Sequence, residues 1–122
     1  MNFILPMPPS INQTYGVSAG GVKGLFKRSG VRDWEKEAGW ELKSQFVKQG
    51  LNRKHFPILG KVKIEVNWFY RNNRDIDAGI KVLLDLFEDH GIYKNDMQVV
   101  EVKLTKESDP KKPRVEVEIT QL

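Results

Sequence analysis

Between Lys61 and Tyr70 the chain alternates without a break, with Val62, Ile64, Val66, Trp68 and Tyr70 on one side and mainly polar residues on the other. A period of two marks a strand that is apolar on one face only. Such a strand belongs in a sheet with one solvated face and one covered face, so the fold needs a sheet layer and a layer that covers it.

The rest of the chain supplies both layers. Asn2 to Leu5 is a short apolar strand, ended by Pro6, Pro8 and Pro9, which remove backbone donors and suit an edge or terminal position. Val99 to Thr105 and Arg114 to Thr120 also alternate, and the polar, proline-bearing stretch from Glu107 to Pro113 separates them, which predicts an antiparallel hairpin. Trp34, Ala38, Leu42 and Phe46 recur at i+4 spacing, and predict a helix from an Asp33 N-cap to about Gln49 with Gly50 as its stop. Ile76, Ile80, Leu83, Leu84 and Phe87 predict a second helix over roughly 77–90, closed by His90 and Gly91. The expected fold is α+β: one domain over residues 1–122, with a mixed sheet of about four strands and two helices packed on one face, in the order β-α-β-α-β-β.

Composition then narrows the function. At 122 residues there is room for one core. No apolar run approaches the roughly 20 residues of a membrane span, and Met1 to Ser10 lacks the basic start of a signal peptide. A cytoplasmic protein is expected. The chain has no cysteine, which excludes thiolate catalysis and cysteine-ligated metals, and its only histidines are His55 and His90. Residues 16–32 form a glycine-rich stretch with Lys23, Lys27, Arg28 and Arg32, and no acidic residue precedes Asp33. This reads either as a flexible basic loop that grips a polyanion, nucleic acid first, or as a solubilising loop. It matches neither glycine-rich phosphate-binding pattern, so no nucleotide cofactor is expected.

The segment Arg71-Asn72-Asn73-Arg74-Asp75-Ile76-Asp77 joins the best strand to the second helix and is crowded with charge. Mg²⁺ prefers oxygen ligands, often one or two carboxylates completed by water and phosphate oxygens, and can drive phosphodiester hydrolysis. Arg71 and Arg74 would neutralise phosphate charge. Residues i and i+2 share a face of extended chain but not of a helix. Asp75 and Asp77 converge only if the helix begins no earlier than about Asp77, and Lys81 then reaches the same site. Asp85 and Glu88 lie further along, as solvated back-up ligands. The plainer reading is an aspartate N-cap with an Asp77 to Lys81 surface pair, and Asp96 as a turn residue.

These residues also carry a resemblance. Pro8-Pro9-Ser10 with Asn12, then Arg74-Asp75-Ile76-Asp77 with Lys81, then Leu84-Asp85, and Asp96-x-Gln98-Val99-Val100 opening a strand, are similar to the RusA-type crossover-junction endodeoxyribonucleases, which resolve Holliday junctions. The resemblance implies a Mg²⁺-dependent homodimer, with Mn²⁺ as a plausible substitute, that cuts two opposed strands of a four-way junction. It implies Asp75, Asp77 and Asp96 as metal-binding and catalytic, and Lys81 as the essential lysine. Two positions depart from the common pattern, Ala78 after the second aspartate and Asn95 before the third.

A helix over 77–90 is about 20 Å long, so Asp96 starts from its far end. Five or six extended residues span at most roughly 16–21 Å. The return within one chain is just possible, and is favoured here. Otherwise Asp96 completes a partner's site. Trp34, Trp40, Trp68, Phe69 and Phe87 are expected in the core or a dimer interface, while Tyr15, near Asn12 beside the basic loop, is placed to stack on an unpaired base. Two functions stand: a junction endonuclease, and a non-catalytic basic nucleic-acid-binding module in which the carboxylates only cap and pair.

Overall fold

The computed structural model describes residues 1–9, 15–17, 25–27 and 29–122. In chain order these form β1 (Asn2–Leu5), β2 (Tyr15–Val17), β3 (Leu25–Lys27), α1 (Ser29–Lys48), β4 (Val62–Tyr70), α2 (Ile80–Asp89), a 3-10 turn (Asp96–Gln98), β5 (Val99–Ser108) and β6 (Arg114–Gln121). The main sheet has the order β1-β6-β4-β5, and β2 pairs with β3 in a separate antiparallel ribbon.

The alternating strand, β4, is one of the two inner strands of this sheet. Its residues Val62, Ile64, Val66 and Trp68 are at most 1% exposed, and β6 sets Val115, Val117 and Ile119 beside them in antiparallel register. β1 extends the same apolar rows at the sheet edge, with Phe3 opposite Val117 and Leu5 opposite Val115. Both helices cover this one face: Val31, Trp34, Ala38 and Leu42 of α1 join Val82, Leu83, Leu86 and Phe87 of α2 in one core. The expected α+β architecture with two helices on a mixed sheet is what forms.

The hairpin expectation is wrong. β5 runs parallel to β4 on its outer side, while β6 pairs antiparallel on the other side, so β4 lies between them. Alternation fixes which face a strand buries but not its neighbour. Crossing over one strand requires only about 10 Å, and five residues reach roughly 16 Å. The 109–113 connection therefore passes across the end of β4, held by Asp109 N–H donating to the Tyr70 carbonyl at 2.8 Å. The true unit is β4-α2-β5, a parallel pair whose crossover is the second helix.

Three local expectations also shift. α1 starts at Ser29, so Asp33 lies inside the helix and is not its N-cap, and Arg32, assigned to the basic loop, is an exposed helical residue. α2 starts at Ile80, with residues 76–79 as a turn. Trp40, expected in the core or a dimer interface, is not in the core of the chain: it is 77% exposed, with the Lys43 ammonium 6.0 Å from its ring centre.

Candidate active site

The acidic segment is held from beneath. Trp68 is buried in β4, and its indole Nε1–H donates at 2.7 Å to the carbonyl of Ile76, the residue between the two aspartates. Arg74 turns inward: its guanidinium donates to the Pro8 carbonyl at 2.6 Å and the Ala78 carbonyl at 2.7 Å, and lies 5.8 Å from the Trp68 ring centre. Its Nε is buried with no hydrogen-bond partner among the described residues, and burial lowers its pKa from the ordinary value. Lys106 of β5 closes the other side, donating to Asn73 Oδ1 at 3.0 Å and the Arg74 carbonyl at 2.9 Å.

Gly79 completes this frame. Its φ of +94° favours glycine, and a Cβ there would lie 2.7 Å from an Arg74 nitrogen and 2.9 Å from Pro8 Cγ. The prolines of the N-terminal motif thus pack against the Asp75–Asp77 turn.

On this frame both carboxylates are exposed. Asp75 and Asp77 precede α2, and their backbone carbonyls accept from Ala78 N–H at 3.0 Å and Ile80 N–H at 3.2 Å. The helix N-cap is Gly79, so Asp77 is not a cap. Neither carboxylate has an ion pair or side-chain hydrogen bond among the described residues. Among the described residues the plain reading of a cap with an i,i+4 pair is not what forms; α2 begins after Asp77, as convergence requires, but Asp75 and Asp77 sit at the first and third positions of a turn and not in extended chain.

A second charged group lies along α2. Residues 91–96 do run back beside the helix: Asp96 N–H donates to Glu88 Oε1 at 2.7 Å, and Lys81 Nζ sits 3.7 Å from Asp96 and 3.2 Å from Asp85. The loop is fixed by Asn95, which caps the 3-10 turn, and by Gln98, whose amide donates to the carbonyls of Ile58 and Gly60 at 2.9 Å. Asn95 at the departing position thus has its own structural task. Buried Tyr93 donates to the Leu84 carbonyl at 2.8 Å, and burial, with Asp96, Glu88 and Asp85 adding repulsion, pushes its pKa well above the ordinary phenol value.

The two groups remain separate. Among the described residues, no three acidic or histidine side chains lie close enough to hold one ion. Asp85 and Glu88, expected to be solvated, instead partner Lys81 and the Asp96 backbone. Arg71 is exposed and donates to the Pro110 carbonyl at 3.2 Å through Nε, which leaves the rest of its guanidinium to solvent. Arg74, expected on phosphate, is occupied by carbonyls. Asn12, Lys23 and Arg28 lie outside the described residues. For Tyr15 and Lys27 the backbone is described, as opposed residues of the β2-β3 ribbon.

Sequence reading missed Trp68, Gly79 and Lys106 as parts of the site's frame. Trp68 has a strand-core pattern and its N–H contact is invisible in spacing, and Gly79 falls inside the helix expected over 77–90, where spacing gives no sign of its positive φ.

The family model described as "Endodeoxyribonuclease RusA" matches residues 6–120 of the chain. The chain is also 32% identical over 117 residues to the crossover junction endodeoxyribonuclease RusA of Aquifex aeolicus (strain VF5), covering 94% of this chain and 84% of that one.

Proposed function

The chain belongs to the RusA family of endodeoxyribonucleases, and from that premise we propose that it is a Mg²⁺-dependent homodimer that resolves Holliday junctions by paired phosphodiester cleavage. The observation that carries this reading is the Asp75–Asp77 turn: two carboxylates without a side-chain partner among the described residues, on a segment pinned by Trp68 and Arg74. Carboxylates with neither a capping nor a pairing role, on a rigid base, suit a site preorganised for a cation.

The donor set fits Mg²⁺. Two hard oxygen donors are sufficient, because this ion keeps several waters and takes further ligands from substrate phosphate. Asp75 and Asp77 would hold it, with Asp96 as the third carboxylate. When bound, the ion supplies charge stabilisation at the phosphoryl group and an activated water. The chain's own groups do the rest. Lys81, 57% exposed at its side chain and held by Asp85 and Asp96, presents a cation to the scissile phosphate. Arg71 reaches a flanking phosphate. The basic residues Lys23, Lys27, Arg28 and Arg32 grip the backbone, with Asn12 and Tyr15 toward the junction centre. Arg74 is a positioning residue for the acidic turn. No helix among the described residues is long and apolar enough to cross a membrane.

The test is a synthetic four-way junction incubated with protein and Mg²⁺. The unmutated chain is expected to cut two opposed strands, and Asp75→Asn to bind the junction but cut at least roughly 100-fold more slowly. Binding without cutting by the unmutated protein would favour the non-catalytic module, and equal cutting by Asp75→Asn would remove the metal-ligand assignment.

A further inference from the structure

The main sheet has two edges, and the fold treats them differently. At β1, Gln45 of α1 occupies both the N–H and the carbonyl of Ile4, at 2.8 and 2.6 Å, and Gln49 donates to the Asn2 carbonyl at 2.6 Å. That edge is closed. At β5, ten residues long, no hydrogen bond from another segment reaches the outward backbone groups among the described residues. An open edge of this length is a template for another strand.

The side chains of β5 say which strand fits. Val102 and Leu104 lie in register with core-facing Ile64 and Val66, so they are on the helix side, yet Val102 is 39% and Val100 53% exposed because the helices do not cover this edge. On the opposite face Glu101 and Lys103 lie in register with Lys63 and Glu65. The run Val100-Glu101-Val102-Lys103-Leu104 is therefore complementary to its own reverse.

The geometry points to a second copy of this chain docking on β5, antiparallel, in the register that sets Val102 opposite itself. Val100 then faces the partner's Leu104, and Glu101 faces its Lys103, each twice. Other registers that keep the same face up fail on one face or the other. Centring on Glu101 or Lys103 sets a charge against itself, and centring on Leu104 opposes Glu101 with Glu107. Centring on Thr105 pairs Lys103 with Glu107 but puts Lys106 against Leu104. Opposite charges across strands stabilise and like charges destabilise, so the pattern selects one register. The result is one continuous eight-stranded sheet about a two-fold axis.

This rests on the homodimer reading above and adds the surface, with a consequence for the site. In this register the 3-10 turn that carries Asp96, ahead of β5 and of the irregularity at Val99 and Val100, lies toward the far end of the partner's β5, around Ser108. That is the end of β5 next to Tyr70, where Lys106 ties down Asn73 and Arg74. Asp96 of one copy is thus brought toward the Asp75–Asp77 turn of the other.

The chain has no cysteine, so a single one reports cleanly. Opposed antiparallel residues have Cα atoms roughly 4.5–5.5 Å apart, within disulfide range. Under mild oxidation without DNA, Val102→Cys is expected to become a covalent dimer nearly completely, and Ile4→Cys on the closed edge to stay uncross-linked. By sedimentation, Glu101→Lys and Lys103→Glu should each weaken the dimer roughly tenfold, and the double swap should restore it. A dimer that does not cross-link at 102, or whose charge swap gives no rescue, overturns this surface while the homodimer stands. A monomer at all concentrations overturns both, whereas the nuclease reading is judged separately by junction cutting.

Discussion

Gly79→Ala tests whether the acidic turn is held by the frame beneath it. An L side chain at a left-handed backbone position costs about 1–2 kcal/mol, and the lower entropy of the unfolded alanine chain offsets about 0.4–1 kcal/mol of that. Gly60, at φ +84° with nothing within 4 Å of an added Cβ, carries these terms alone. At Gly79 the new methyl must also displace the Arg74 nitrogen 2.7 Å away, and that nitrogen donates to the Ala78 carbonyl. A hydrogen bond from a charged donor contributes about 1.5–3 kcal/mol. On these terms Gly60→Ala is expected to cost up to about 1.5 kcal/mol and Gly79→Ala about 1.5–3 kcal/mol more than that. Urea unfolding followed by tryptophan fluorescence reads both. In an Arg74→Met background the cost of Gly79→Ala should fall toward that of Gly60→Ala, because the displaced hydrogen bond is gone, and stay above it, because Pro8 Cγ still lies 2.9 Å from the added Cβ. Equal costs in the unmutated background, within about 0.5 kcal/mol, would refute the idea that Arg74 and Gly79 form one packed unit under the turn.

Trp68→Phe keeps most of the ring but removes the N–H that holds Ile76, so the Mg²⁺ concentration for half-maximal cutting should rise roughly 10-fold; an unchanged Mg²⁺ titration would show that Trp68 only fills the core. Lys81→Met should lower cutting at saturating junction roughly 100-fold while leaving junction binding near normal, and a loss of binding alone would reassign the lysine to the DNA grip. Burial, with Lys43 adding repulsion, lowers the pKa of His90. The unfolded chain therefore takes up this proton first as pH falls. Stability from neutral His90 is complete above about pH 6.5 and is lost as pH drops through the depressed folded value. Stability by urea unfolding should fall more between pH 7.5 and 5.5 for the unmutated chain than for His90→Asn, by under about 1 kcal/mol because the ring is partly exposed. A parallel shift in both would remove His90 from the account.

What was legible in the sequence followed from periodicity. The alternation of β4 and β6 and the i+4 stripe of α1 set the layers, because each period fixes a buried face. Strand order was not legible, since Val102 and Leu104 alternate equally well beside β4 or beside β6. The start of α1 was misjudged because Asp33 looks like a cap, while the buried Val31 extends the apolar stripe upstream of it. Within the site, the i,i+2 aspartates and the lysine were readable as types and spacing. Their partners were not: Arg74 has the composition of a phosphate ligand, and only its burial and two backbone acceptors show that it points inward.

Whether Asp96 serves its own subunit has a decisive answer in mixed dimers. The described residues of one chain put Asp96 with Lys81 and Asp85 and do not gather it with Asp75 and Asp77 into a three-carboxylate cluster, and the β5 register carries it toward the partner's turn. Consider Asp75→Asn mixed with Asp96→Asn, each inactive alone. If sites are shared across the two-fold axis, a mixed dimer collects both defects in one site and leaves the other intact. If each site is built within one chain, a mixed dimer has one defect in each and no intact site. Random mixing makes half the dimers mixed, so sharing predicts recovery of about one quarter of the unmutated number of active sites, given a symmetric dimer. The recovered product should be a nicked junction, because only one strand faces a working site. No recovery after subunit exchange, verified by the cross-link at position 102 between differently tagged chains, would return Asp96 to its own subunit.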